Sequence, residues 1–126
     1  MICAIVYQSN TGSTEQYARM LAEETGLSVY SRKEAVKVLP RGSEVLYLGW
    51  IMAGRIKGYA AAAQRYRIGA ACGVGMGQTG TQTENVRDKT HIPPSVPLFT
   101  LQGNFQVEKL HGMQRWMMQL MVKTAG

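Results

Sequence analysis

Apolar and polar residues fall into alternating blocks along the chain. Five short apolar runs, bounded by turn-forming residues, have the character of strands buried on both faces of a parallel sheet. These predicted strands are residues 2–7, 27–30, 44–50, 67–74 and 98–101. The segments between and after them have helical spacing or helical propensity. These predicted helices are residues 13–25, 31–39, 58–66, 81–89 and 109–123. Strands alternating with helices predict an α/β fold with a parallel sheet between two helical layers.

Length and composition are those of one folded domain, residues 1–126, with 45% hydrophobic and 17% charged residues. No apolar run reaches the roughly 20 residues that a membrane-spanning helix needs. The N-terminal segment resembles a strand and has no basic leader, so we expect a cytoplasmic protein. Cys3 and Cys72 lie in separate apolar runs, which predicts two buried free thiols.

The chain carries a formal net charge of +6, and its basic residues concentrate between residues 32 and 67. They form no dense run and are not interleaved with aromatic residues, so nucleic acid is not predicted as a partner. His91 and His111 are isolated from each other and from cysteine, so no metal site is predicted.

A hydroxyl-rich loop between the first strand and the first helix is the strongest local signal. Its residues are Ser9, Asn10, Thr11, Gly12, Ser13 and Thr14. Hydroxyls, an amide and the free N–H groups of a helix start are the donors that a phosphate monoester needs. The loop contains no lysine, which argues against a nucleoside-triphosphate loop. A plain capping box, with Ser or Thr at the cap and Glu15 or Gln16 following, is the alternative.

Residues 5–14 resemble the opening of the flavodoxin family, a strand followed by [Ser/Thr]-x-Thr-Gly-x-Thr. Residues 47–50 resemble the third strand of that family. Residues 101–105, 109–110 and 116–118 resemble a subgroup that includes the bacterial flavodoxin-type protoporphyrinogen oxidase. The resemblance extends over essentially the whole chain.

This resemblance implies a three-layer flavodoxin-like fold with a five-stranded parallel sheet in the order 2-1-3-4-5. It implies a flavoprotein that binds FMN at the carboxyl edge of the sheet, with the phosphate held by the six loop residues named above. It also implies that the flavin ring lies between the loops after strands three and four. The first of these loops comprises Trp50, Ile51, Met52, Ala53, Gly54 and Arg55; the second includes Gly75, Met76, Gly77 and Gly80.

Gly75 to Gly80 also matches GxGxxG, the dinucleotide fingerprint. The helix that follows is polar, and no acidic residue stands about 20 positions beyond the motif, where a ribose-binding acid is expected. A glycine-rich loop close to a flat ring fits the same residues.

The function that these features favour is electron transfer, or a small FMN-dependent reductase or oxidoreductase, with a redox protein, a small molecule or a quinone as partner. A protoporphyrinogen oxidase-like enzyme and a cofactor-free binding or regulatory module are the alternatives. No side chain is predicted to act as an acid, base or nucleophile.

Trp50 either stacks near the ring or caps the core. Arg55 and Lys57 either raise the reduction potential or are screened by solvent. The Met-rich helix 109–123 either packs on the core or contacts a membrane surface.

Overall fold

The structure is a computed structural model of the chain, and it describes residues 2–9, 12–75, 83–102 and 115. The strands within these residues are β1 Ala4–Gln8, β2 Ser28–Ser31, β3 Glu44–Met52, β4 Arg55–Ile56, β5 Arg67–Gly75 and β6 Leu98–Gln102. The helices are α1 Ser13–Thr25, α2 Arg32–Val38, α3 Tyr59–Arg65 and α4 Thr83–Thr90. Of the predicted C-terminal helix 109–123, only Arg115 is described, so that prediction lies outside the described residues.

Five parallel strands form the main sheet in the order β2-β1-β3-β5-β6. This is the predicted order 2-1-3-4-5, because the additional short strand β4 shifts the numbering of the last two strands by one. In the register between β1 and β3, Ile5 lies opposite Leu46 and Val6 opposite Tyr47. The prediction of a parallel sheet with this order is confirmed.

Two hydrophobic cores cover the two faces of the sheet. On one face, Tyr17, Ala18 and Leu21 of α1 pack with strand residues such as Ile5 and Leu48. On the other face, Ala35 of α2, Tyr59 and Ala62 of α3, and Val86 of α4 pack with Val6 and Tyr47. Burying a side chain such as Leu21 contributes roughly 1.5–3 kcal/mol. Successive residues of β1 and β3 face opposite cores, so both strands read as continuous apolar runs.

Helix α1 has the bounds that the sequence predicts. Its apolar stripe includes Ala18 and Leu21, both fully buried. Gly26 follows the helix in the left-handed conformation, with φ 75°, and its N–H donates to the carbonyl of Ala22. A residue with a side chain is strained in that conformation, which is why a glycine ends the helix.

The strand β4 is a difference from the prediction. Residues 50–55 were expected to form a loop, but β3 continues to Met52 and pairs antiparallel with β4. Ala53 and Gly54 form the two-residue connection, with φ 54° and 80°. Positive φ at both positions matches the right-handed twist of a tight hairpin. The β3–β4 hairpin therefore replaces the predicted loop.

Glycines in the sheet let this hairpin lie close to the strands. A Cβ atom at Gly49 would stand 2.5 Å from the carbonyl oxygen of Lys57, and one at Gly73 would stand 2.9 Å from Cδ1 of Ile51. Ile56 belongs to the core of that face, and Ile51 packs against it. Small residues at Gly49 and Gly73 are therefore what allows the hairpin to fold over the sheet.

The two cysteines have different environments. Cys72 lies fully buried in β5, as predicted, and burial raises the pKa of its thiol. Cys3 is exposed, so the prediction of burial is wrong for this residue. Cys3 precedes β1 at the amino edge of the sheet, where its N–H donates to the carbonyl of Glu44, and its side chain belongs to neither core of the described residues.

Candidate cofactor site

The carboxyl ends of β1, β3 and β5 lie side by side at one edge of the sheet. From β1 the chain crosses to β2 on one side, whereas β3 connects to β5 on the other. The position between β1 and β3 is therefore the switch point at which open α/β sheets bind ligands. The predicted site residues follow these strands, so the topology brings the described ones to one edge.

The first wall of the site is the turn between β1 and α1. Gly12 is the N-cap of α1, with φ 97°, and its N–H donates to Oγ of Ser9 at 3.0 Å. The carbonyl of Gly12 accepts the N–H of Gln16 at 3.0 Å, which starts the helix. Asn10 and Thr11 of the predicted loop lie outside the described residues.

The capping-box alternative for this loop is wrong. The cap position is a glycine, which has no side chain, and it makes no side-chain cap hydrogen bond. The capping box of this protein lies instead at α2, where Ser31 Oγ accepts the N–H of Glu34 and the Glu34 carboxylate accepts the N–H of Ser31. The first-turn N–H groups of α1 are thus not satisfied by a cap side chain.

This wall fits a phosphate group. Gly12 has open space where a side chain would stand, so a ligand can approach the backbone closely. The half-buried Ser13 and the buried Thr14 supply hydroxyls at the start of the helix. Helix N-termini attract anions through both their N–H groups and the helix dipole. The residues present at α1 are therefore those that a phosphate monoester requires.

One acidic residue lies close to this position. Glu15 is in the first turn of α1, and its carboxylate accepts a hydrogen bond from Nε of Arg19 at 2.7 Å. The guanidinium offsets the negative charge that would otherwise repel a phosphate. The hydrogen bond and the charge of Glu15 also raise the pKa of Arg19.

A cavity of about 390 Å³ adjoins Ser9 and contains two cations that the sequence pattern did not single out. Arg32 and Lys33, the first residues of α2, line it together with Tyr7, Gln8, Ser9, Ser31 and the acidic Glu15. Nε of Arg32 donates to Oε1 of Gln8 at 2.9 Å. The register between β1 and β2, in which Tyr7 lies opposite Ser31, brings these cations to the phosphate wall.

Tyr7 forms the inner side of this cavity. Burial raises the pKa of its phenol, the negative charge of Glu15 raises it further, and Arg19 partly offsets both. Tyr7 consequently stays protonated near neutral pH and can donate a hydrogen bond.

The second wall is the β3–β4 hairpin, and its residues do not all face one side. Ile51 packs on a core, and its Cδ1 lies against Gly73 and Gly75. Trp50 is half-buried and belongs to neither core as the described residues define them. Nζ of Lys57 lies 5.8 Å from the centroid of the Trp50 ring, a cation–π distance.

The remaining hairpin residues are at its tip. Met52, Ala53 and Arg55 are exposed, and Gly54 lies under the side chain of Lys89. Exposure of Met52 and Arg55 keeps both available to a ligand at this edge. Both interpretations of Trp50, ring contact and core capping, stay predictions.

The third wall begins at Gly75, the half-buried last residue of β5. Met76, Gly77 and Gly80 lie outside the described residues. The dinucleotide alternative for this segment is not supported by the sheet order, because that fold places β1 between β2 and β4, whereas here β1 lies between β2 and β3. The glycine-rich segment also follows β5 rather than the first strand.

Within the described part, no group of three or more His, Cys, Asp and Glu side chains could hold a metal ion. Among the described helices, none combines the length and apolar character that crossing a bilayer requires.

Comparison with solved structures identifies the fold. The chain is similar to a flavodoxin from the domain Archaea, with a TM-score of 0.57, 13% identity and 100% of both chains covered. It is also similar to rubredoxin oxygen:oxidoreductase (ROO) from the anaerobe Desulfovibrio gigas, with a TM-score of 0.57 and 21% identity. That match covers 98% of this chain, which spans 37% of the oxidoreductase. No family model matches, and no curated protein sequence matches. The fold is flavodoxin-like, as the sequence resemblance implied.

Proposed function

We propose that this chain binds FMN at the carboxyl edge of its sheet and transfers electrons through it, as a carrier or as a small FMN-dependent reductase. The observation that carries the proposal is the start of α1, which stands at the switch point with Gly12 as its cap and no cap side chain. The flavodoxin-like fold supports the same ligand class.

Different residues of this chain would bind the phosphate and the ring of FMN. Ser9, Ser13 and Thr14, with the first N–H groups of α1, bind and orient the phosphate. Arg32 and Lys33 add positive charge beside them. Trp50 and Met52 contact the flat ring and exclude water from one side of it, since aromatic and thioether groups pack well on π-systems. FMN itself supplies one- and two-electron transfer when it is bound.

Positive charge at this edge favours a reductase of small molecules over a carrier that docks on a redox protein. The hairpin that would face the ring carries Arg55, and Lys57 follows it. Cations attract anionic small molecules and stabilise a reduced, anionic ring by Coulomb attraction. A small-molecule or quinone acceptor therefore fits this edge, and a redox protein partner would need an acidic docking surface.

The phosphate part of the proposal is tested by Thr14→Val, which removes one buried hydroxyl and keeps the side-chain shape. Hydrogen bonds to charged groups contribute about 1.5–3 kcal/mol, so we expect FMN to bind at least about tenfold more weakly. Riboflavin, which has no phosphate, is expected to show no such change. Flavin fluorescence titrations measure both affinities.

Thr25→Val is the matched control for this substitution. The Thr25 hydroxyl donates to the carbonyl of Leu21 at the far end of the same helix. It should lower stability without changing the ratio of FMN to riboflavin affinity. Equal weakening by both variants would show that Thr14 acts through folding alone and would contradict its assignment to the phosphate.

A further inference from the structure

A second cavity, of about 640 Å³, lies beside the β3–β4 hairpin and has no role in the phosphate wall. It is bounded by the hairpin, the start of α3 and the end of α4. We call it the basic cleft and define it by Met52, Arg55, Ile56, Lys57, Lys89 and His91. Its volume falls in the range of small-molecule sites.

Hydrogen bonds fix the walls of the basic cleft. The N–H of Ile56 donates to Oγ1 of Thr90 at 3.2 Å, which ties the hairpin to the end of α4. The buried hydroxyl of Tyr47 donates to the carbonyl of Lys57 at 2.6 Å, and the N–H of Lys57 donates to the carbonyl of Trp50 at 2.9 Å. The cleft is thus shaped before any ligand arrives, which lowers the entropy cost of binding.

The charge of the cleft has one sign. Arg55, Lys57 and Lys89 are exposed cations, His91 adds an imidazole, and no acidic residue is among the described residues that line the cavity. Within the described part of the chain, none of these cations forms an ion pair, and Lys57 lies over the ring of Trp50. A cavity lined by one sign of charge concentrates ligands of the opposite sign.

Between these cations lies an apolar surface. Ile56 is buried, Met52 is exposed, and Ala60 and Ala61 present methyl groups from α3. Gly54 leaves room for the stem of Lys89, because a Cβ atom at Gly54 would stand 2.6 Å from Cδ of that lysine. The cleft therefore pairs an apolar floor with cationic sides.

We propose that the basic cleft binds a small molecule that joins an oxyanion, carboxylate or phosphate, to a flat apolar body. This site needs neither FMN nor the phosphate wall. Met52 and Arg55 belong to the cleft and to the segment proposed to face the flavin. The ligand is therefore the class of molecule that exchanges electrons with the ring, a corollary that rests on the proposed function.

The test titrates the full chain with 2-naphthoate, 2-naphthyl phosphate and the neutral 2-naphthamide, followed by amide NMR shifts. We expect both anions to shift the amides of residues 55–58 and 89–91. We also expect the anions to bind at least about fivefold more tightly than the amide at low salt, and the difference to shrink as ionic strength rises. Comparing the two anions shows whether carboxylate or phosphate is preferred.

Variants separate the cleft from the overall charge of the protein. Lys57→Gln/Lys89→Gln is expected to weaken anion binding about tenfold, and Lys37→Gln/Arg67→Gln, which removes the same charge elsewhere, to change it less than about twofold. Thermal denaturation of each variant checks that it is folded. Equal weakening by the two variants, equal affinity for the neutral amide, or shifts confined to other residues would overturn the proposal.

The same titration repeated with saturating FMN distinguishes this proposal from the proposed function. Naphthoate binding that persists beside FMN supports two sites. If FMN fails to bind while naphthoate still binds the cleft, the proposed function fails and this inference stands. If FMN displaces naphthoate and the lysine variant loses FMN, the cleft is the flavin site, and the proposal of a separate ligand is overturned.

Discussion

Single residues at the N-cap position determine whether the first-turn N–H groups of a helix are available to a ligand or are bound by a cap side chain. Gly12 caps α1 without a side chain, whereas Ser31 caps α2 with one. The difference leaves the first-turn N–H groups of α1 without a cap side chain, as the proposed phosphate site requires, and stabilises the start of α2. The residue at the N-cap position, glycine in α1 and serine in α2, therefore distinguishes a helix start without a side-chain cap from one that has a cap.

The α2 cap predicts a pH dependence of stability. Hydrogen bonds from the Ser31 backbone and side chain lower the pKa of Glu34 below its ordinary value of 4.5. A carboxylate with a lowered folded-state pKa stabilises the fold above its unfolded-state pKa, and this stabilisation is lost as pH falls through the folded-state pKa. Glu34→Ala should therefore destabilise the protein near pH 7 and have less effect as the pH falls below about 4.

Urea unfolding at several pH values measures this difference. Val36→Ala is the control, since it is on the same helix, is exposed and removes no titratable group. Its effect on the free energy of unfolding should stay constant with pH. A Glu34→Ala effect as large in acid as near neutrality would contradict the capping role of the carboxylate.

Arg55 offers a test of the electrostatics at the edge of the sheet where we propose that the flavin binds. With FMN bound, Arg55→Gln is expected to lower the midpoint potential, because the positive charge that favours the reduced anionic ring is removed. An exposed charge interaction is worth about 0.5 kcal/mol, which corresponds to roughly 20 mV for one electron. Potentiometry measures the shift, and raised salt should reduce it.

Arg67→Gln is the charge-matched control, because Arg67 is exposed at the first residue of β5, at the opposite edge of the sheet. It should leave the potential unchanged. An equal shift in both variants would mean that only net charge matters, and no shift in either would mean that solvent screens Arg55.

At the scale of elements, the helices and long strands could be predicted and the short hairpin strand could not. The period of α1 and its stop at Gly26 are local signals, so the predicted and observed bounds agree. Strand β4 has two residues, too few to carry a pattern, and it forms because Gly49 and Gly73 leave room for it in the folded sheet. The contact between Gly73 and Ile51 joins positions that are far apart in the sequence, so a local sequence pattern does not predict it.

Gly49→Ala tests this account of the hairpin. The new Cβ atom would meet the Lys57 carbonyl at 2.5 Å and Cγ2 of Ile56 at 2.7 Å, so β4 must move away from β3. Forced overpacking of this kind costs about 1–3 kcal/mol. We expect that loss in urea unfolding, together with faster hydrogen exchange at the Lys57 amide.

Gly26→Ala provides the comparison. A side chain at Gly26 has open space but a left-handed backbone, so it should cost about 1–2 kcal/mol by strain. It should leave exchange at Lys57 unchanged when the two proteins are compared under conditions where both are folded. Unchanged exchange in Gly49→Ala would show that the hairpin does not depend on this glycine.

The topology of the whole molecule brings residues to the candidate site that the sequence pattern could not place there. The hydroxyl-rich loop was visible as a motif, but Arg32 and Lys33 join it only through the pairing of β1 with β2. Lys89 and His91 likewise lie beside the hairpin because the end of α4 packs there. The Met-rich segment 109–123 keeps both of its predicted interpretations, core packing and membrane contact.

Chain length and net charge are the two properties of the whole molecule that relate to the choice between an electron carrier and an enzyme. This chain covers the full length of an archaeal flavodoxin but 37% of a larger oxidoreductase, so the fold occurs both alone and within longer chains. A net charge of +6 and the basic cleft are the grounds on which we propose anionic small molecules as redox partners. The proposed reductase follows from that charge rather than from the fold.

Binding of FMN by this chain is tested by a fluorescence titration of the purified protein with FMN and, in parallel, with riboflavin. We expect saturable one-to-one quenching of flavin fluorescence by the protein and retained flavin absorption after desalting. We also expect FMN to bind at least about tenfold more tightly than riboflavin, because only FMN carries the phosphate. FMN that washes through without a spectral change, or equal affinity for the two flavins, would contradict a phosphate-anchored flavin at the carboxyl edge of this sheet.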